Sequence, residues 1–113
     1  MGSYNRGPSI RVAVQEAKGI LQRDGYRAER VISEARIYDL VAWKRERILL
    51  VAVRSSRLLK LSDYHEKICQ LSNIIRNDPD PRRNIEFWIY RSPGWAMWQV
   101  VSGGAIPKGV AAA

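Results

Sequence analysis

Apolar residues recur at helical spacing across residues 9–24. Ile10, Val14, Ala17 and Leu21 form the stripe, with Ala13 and Ile20 beside it, while Arg11, Gln15, Lys18 and Gln22 fall on other faces. Pro8 or Ser9 starts this helix and Gly25 ends it as a C-terminal cap. Gly19 inside it costs about 1 kcal/mol against alanine, which points to close packing there. The period then falls to two. Residues 26–33 read as a charge-rich strand, and 36–43 and 47–54 as stronger ones, joined by the polar turn at 44–47 into an antiparallel hairpin. Both faces of that hairpin are apolar, with Leu40, Ala42, Leu49, Val51 and Val53 on one and Val41, Trp43, Ile48 and Leu50 on the other. A sheet apolar on both sides needs cover on both sides, and helices must supply it.

Helical spacing returns over 62–77, where Tyr64, Ile68, Leu71 and Ile75 make a buried stripe. Ser62 or Asp63 caps this helix, Asp63 and Glu66 have capping-box spacing, and Asp78-Pro79-Asp80-Pro81 terminates it. A second hairpin, 85–91 with 95–101, turns at Ser92-Pro93-Gly94. Residues 103–113, rich in glycine and alanine, read as a flexible tail. The expected architecture is α/β: one domain over 1–113 with an ordered core at about 9–101, a central mixed β-sheet flanked by helices, in the order αβββαββ.

Length agrees, since 113 residues support one core and not two. No apolar run approaches the ~20 residues of a membrane span, and the N-terminal residues lack a signal-peptide core, so a cytoplasmic protein without a membrane partner is expected. The single cysteine, Cys69, excludes an internal disulfide, fits a reducing compartment and reads as buried packing; the single histidine, His65, reads as a surface residue. Charge changes the picture more. Nineteen basic residues against 11 acidic give +8, and fourteen of the nineteen are arginine. A basic surface favours polyanions, and the planar arginine fork suits phosphate oxygens, so nucleic acid is the expected partner.

The hairpin supports a geometric step. If its turn centres between Arg45 and Glu46, opposed residues have numbers summing to 91, so Asp39 faces Ala52, and Ala52 and Arg54 share the face of Asp39. One acid then sits among apolar residues and needs a partner, either Arg54 or a metal.

The stretch from Gly25-Tyr26 through Tyr38-Asp39-Leu40-Val41-Ala42-Trp43-Lys44 and Ile48-Leu49-Leu50-Val51-Ala52-Val53-Arg54-Ser55-Ser56-Arg57 resembles the restriction-endonuclease-like PD-(D/E)xK superfamily, and within it the small archaeal Holliday-junction-resolvase-like proteins. The likeness spans about residues 9–76. It implies a Mg²⁺-dependent nuclease in which an Asp and a Glu hold the ion and a Lys two residues after the Glu attends the attacking water. Asp39 matches the Asp, but Ala52 stands where the Glu belongs and Arg54 where the Lys belongs. Alanine cannot ligate metal, and arginine stays protonated.

The sequence therefore points to a nucleic-acid-binding protein, expected to bind DNA, on a nuclease-like fold with impaired catalysis and no resident cofactor. Arg36, Arg45, Arg47, Arg54, Arg57 and Lys60 are the expected phosphate contacts. The alternative is a working Mg²⁺-dependent endonuclease using Asp39 with a relocated acid, for which Glu34, Glu29 and Glu16 are candidates. Asp39 also has a purely structural alternative, an ion pair with Arg54 or Arg36 that fixes the strand end. Phe87, Trp88, Tyr90, Trp95 and Trp98 crowd the last hairpin and read as core plus a homodimer interface, or as a base-stacking surface beside Arg82, Arg83 and Arg91. A non-catalytic dimerising assembly subunit is the third reading.

Overall fold

The computed structural model describes residues 9–56, 60–91 and 94–112. Arg57, Pro8 and the Ser92-Pro93 part of the second hairpin turn lie outside the described residues.

The first helix, α1, spans Ile10–Arg23, with the Ser9 side chain accepting from the Val12 N–H at 3.3 Å. Its buried residues are Ala13, Val14, Ala17 and Leu21; of the expected stripe Ile10, at the helix start, is exposed, and Ile20 beside it is half-buried. Gly25 follows at φ +92°, a conformation that favours glycine, and the Lys44 ammonium closes the corner by donating to the Asp24 carbonyl at 2.7 Å.

The sheet has six strands in the order β1-β2-β3-β4-β5-β6: β1 Arg27–Arg30, β2 Leu40–Lys44, β3 Arg47–Ser55, β4 Arg83–Tyr90, β5 Gly94–Val101 and β6 Gly104–Ala112. Every neighbouring pair is antiparallel except β3 with β4. That parallel step needs a crossover, supplied by a 3-10 turn at Leu61–Tyr64 and the second helix, α2, at His65–Asn77. The β2–β3 register is the one derived from the sequence, with Val41 opposite Leu50 and Trp43 opposite Ile48. Arg45 takes a left-handed φ of 58° in the tight turn between them.

Each sheet face carries its own core. Leu40, Ala42, Leu49, Val51 and Val53 pack with α1, whereas Leu50, Ala52, Ile85, Phe87 and Ile89 pack with Ile68 and Leu71 of α2. The Ser72 hydroxyl donates to the Val101 carbonyl at 2.8 Å and Arg76 donates to the Ser102 carbonyl at 2.6 Å, tying α2 to the β5–β6 turn.

Four expectations change. The first strand is only four residues, and β2 begins at Leu40 where residue 36 was expected. The intervening chain forms a loop in which Arg36 donates to the Ser33 carbonyl through both its backbone N–H and its guanidinium. The capping-box spacing of Asp63 and Glu66 is not used, since α2 starts from the 3-10 turn with no side-chain cap. The segment expected as a flexible tail is β6. Its small residues carry no period-two signal, and its order comes from backbone pairing with β5.

The aromatic hairpin is also hidden within the chain. Trp88, Tyr90 and Trp95 are buried on the α1 side, with Trp88 and Trp95 edge to face at 5.7 Å between ring centres. Phe87 is buried on the α2 side between Tyr64 and Trp98. Alternation along β4 accounts for the split, with Trp88 and Tyr90 on one face and Phe87 and Ile89 on the other. Phe87, Trp88, Tyr90 and Trp95 are thus covered within the chain, and Trp98 stays half-buried.

The same alternation puts Glu86 on the α1 side beside Trp88, and Glu86 is only 5% exposed. Both carboxylate oxygens are satisfied: the Trp88 indole N–H donates to one at 2.8 Å and the Lys108 ammonium of β6 to the other at 2.8 Å. Lys108→Met should therefore cost about 1–2 kcal/mol in urea unfolding by leaving a buried oxygen unpaired, the half-exposed lysine keeping the figure low. The double change Glu86→Gln with Lys108→Met should recover at least half of that loss.

Candidate nucleic-acid interface

β2 stops pairing at Leu40, opposite Val51, while β3 runs on to Ser55. The continuation would leave the Val53 N–H without a strand partner on that side. Asp39 fills the gap: its backbone N–H donates to the Val51 carbonyl at 2.8 Å and its carboxylate accepts from the Val53 N–H at 2.8 Å. The same carboxylate accepts from the Arg36 Nε at 3.1 Å through its other oxygen. Arg54 Nη1 lies 3.5 Å from the oxygen that Val53 uses, and donates to the Val53 carbonyl at 2.7 Å. Asp39 is 6% exposed, and each arginine side chain is about a third exposed. Of the alternatives open in the sequence, the arginines are therefore the partners found, both at once.

The metal-ligating expectation meets a poor fit. Mg²⁺ takes hard oxygen ligands in a tight octahedron, usually including one or two carboxylates. Both Asp39 oxygens are already committed to arginine and backbone donors. Ala52, at the position of the second acid, is fully buried against Phe87 and the α2-side core. Glu34 and Glu29 are exposed and Glu16 is half-buried on α1; among the described residues no three acidic, histidine or cysteine side chains are grouped to hold a metal ion.

The expected phosphate contacts do not form one patch. Arg36 and Arg54 meet at Asp39. Arg45 and Arg47 lie at the other end of the β2–β3 hairpin, beside a smaller cleft of about 400 Å³ that also includes Tyr26 and Lys44. Arg54 lies seven positions after Arg47 along β3, roughly 23 Å of strand. Lys60 is exposed just before the 3-10 turn, and Arg57 lies outside the described residues.

Sequence reasoning missed Lys67. It lies on α2, is half-buried, and with Arg54, Tyr64 and Gln70 lines a cleft of about 760 Å³ between β3 and α2. The exposed Asp63, His65 and Glu66 line the same cleft. Burial pushes the Lys67 ammonium below the ordinary lysine value of 10.5; Arg54 and, more weakly, Arg36 push it the same way, and Asp39 opposes them. The available signal was positional: Lys67 precedes Ile68 and follows Tyr64 by three, on the flank of the buried stripe. His65 is exposed as expected. Cys69 is exposed too, not buried, because it falls one turn after His65, and its Sγ lies 3.5 Å from His65 Nε2.

No protein-family model matches the chain, and no curated protein matches it. Among solved structures the chain is similar to Hjc, a Holliday junction resolvase from the archaeal hyperthermophile Archaeoglobus fulgidus, with a TM-score of 0.56, 20% identity, and coverage of 80% of this chain and 72% of that one. That resolvase belongs to the PD-(D/E)xK superfamily, so the resemblance read from the residues around Asp39 and Ala52 holds at the level of the fold, a resolvase-like nuclease fold. No described helix is long and apolar enough to cross a membrane.

Lys67 gives a pH prediction. Because its folded-state pKa is lowered, the unfolded chain binds this proton more strongly, and the charged lysine weakens the fold below that lowered value. The penalty is relieved as pH rises through the folded value toward the unfolded one. Lys67→Met should raise the urea midpoint near about pH 7, and the gain should shrink near about pH 10. Equal gains at both pH values would contradict the assignment.

Proposed function

We propose that this chain is a DNA-binding protein on a resolvase-like fold, one that grips backbone phosphates and does not cut them. The observation that carries the reading is the commitment of Asp39: Arg36, Arg54 and the Val53 N–H occupy a carboxylate that a cutting site would reserve for metal. The net charge of +8 and the arginine excess support it, as does a fold shared with a protein that resolves Holliday junctions. The chemistry is electrostatic. Guanidinium groups displace condensed counterions from phosphates, which gives affinity with little reading of sequence. The burial of Phe87, Trp88, Tyr90 and Trp95 argues against these rings stacking on bases. Arg36 and Arg54 near the cleft, and Arg45 and Arg47 about 23 Å along the hairpin, would track a stretch of backbone close to seven base-pair steps. A homodimer belongs to this reading.

Binding of a random-sequence duplex should weaken steeply with salt, with a log–log slope near −5 for six phosphate contacts. Arg54→Gln should cut affinity several-fold and reduce the slope by about 1. The same samples incubated with Mg²⁺ or Mn²⁺ should show no cleavage. Absence of salt-dependent binding in a mobility-shift titration would refute the proposal. Cleavage that disappears in Asp39→Ala would establish the alternative, an endonuclease with a relocated acid.

A further inference from the structure

The cleft between the end of β3 and the start of α2 brings a guanidinium and a half-buried ammonium, Arg54 and Lys67, together with two exposed acids, Asp63 and Glu66. Arg36 and Arg54 both contact Asp39, and Lys67 approaches from α2. The other buried carboxylate, Glu86, is on the opposite sheet face with its own lysine. Lys67 has no ion pair among the described residues; its ammonium donates to the Gln70 side-chain oxygen at 3.2 Å. Both contacts of Arg54 run through Nη1, so Nε and Nη2 carry three further N–H donors. A half-buried ammonium beside a guanidinium is costly to keep unless an anion joins them.

We propose that this cleft is a phosphate subsite, in which Lys67 and Gln70 of α2 and Arg54 of β3 hold one phosphate of a nucleic-acid backbone with no metal ion between. The proposal rests on the DNA-binding reading and adds to Arg54 two residues outside the motif that suggested it, Lys67 and Gln70. At about 760 Å³ the cleft has the volume of small-ligand sites, enough for a phosphate with its sugar. Lysine and arginine supply complementary roles there: a point charge on one oxygen and a planar fork across two. Gln70 orients the ammonium through its oxygen, and its amide N–H₂ remains available as a further donor. Asp63 and Glu66, exposed on the same cleft, oppose a phosphate, but solvent and salt screen them more than the half-buried Lys67.

The test uses the full chain as wild type, Lys67→Gln, Lys67→Arg and Glu66→Gln, with two probes. One is a random-sequence duplex of roughly 20 base pairs followed by mobility shift, a length spanning the ~23 Å arginine track several times over. The other is inorganic phosphate, followed by amide and side-chain shifts of isotope-labelled protein. Lys67→Gln should weaken duplex binding roughly tenfold at low salt and lower the salt slope by about 1, Lys67→Arg should restore most of both, and Glu66→Gln should tighten binding. Phosphate should shift the Gln70 side-chain resonances in wild type and not in Lys67→Gln. Duplex binding unchanged in Lys67→Gln would overturn the subsite while leaving DNA binding intact. Phosphate shifts that depend on Lys67, without duplex binding, would keep the subsite and remove the DNA reading. The absence of any phosphate-induced shift at Gln70 in wild type would overturn the subsite whatever the duplex does.

Discussion

The carboxylate of Asp39 holds this end of the molecule together. It does the work of a strand carbonyl where β2 ends, so that β3 can extend toward Ser55 without an orphaned Val53 N–H. It also anchors two arginines from different segments, one in the loop before β2 and one on β3. Hydrogen bonds to a buried charge contribute about 1.5–3 kcal/mol, more than neutral ones. The strand end, the position of Arg54 and the wall of the cleft facing α2 therefore share a single support.

The two buried acids among the described residues are balanced differently. Glu86 meets one lysine and one indole N–H, a local arrangement that fastens β6 to the sheet and leaves little charge over. Asp39 meets two guanidinium groups, with Lys67 close enough to feel all three. The exposed Asp63 and Glu66 line the same cleft as Arg54 and Lys67, so the cations there face solvent-screened acids as well as Asp39.

Much of this was legible in the sequence because it rests on periodicity and one tight turn. The α1 stripe of Val14, Ala17 and Leu21 with Ala13 beside it, the two apolar faces of the central hairpin, and the register that sets Val41 against Leu50 all follow from spacing, although Ile10 of that stripe is exposed. Asp39, Ala52 and Arg54 could be related to one another through that register. Features fixed by tertiary contact were hidden. β6 is made of small residues ordered by a neighbour's backbone. Lys67 reaches the site from a helix 28 positions beyond Asp39, and no local pattern announces that approach. Glu86 looked like one polar residue in an apolar strand, and only the fold brings Lys108 to it. The aromatic hairpin was legible only in part: composition typical of an interface also builds a core, and the packing of Trp88, Tyr90 and Trp95 is what shows the core.

The central claim, that Asp39 serves cations of its own chain and not a metal, is tested most directly by calorimetric titration of the wild-type protein and Asp39→Asn with Mn²⁺. The account predicts no saturable heat in either protein up to about 10 mM, weaker than the ~1 mM regime of even low-affinity carboxylate sites. Saturable Mn²⁺ binding in the wild type that vanishes in Asp39→Asn would contradict it.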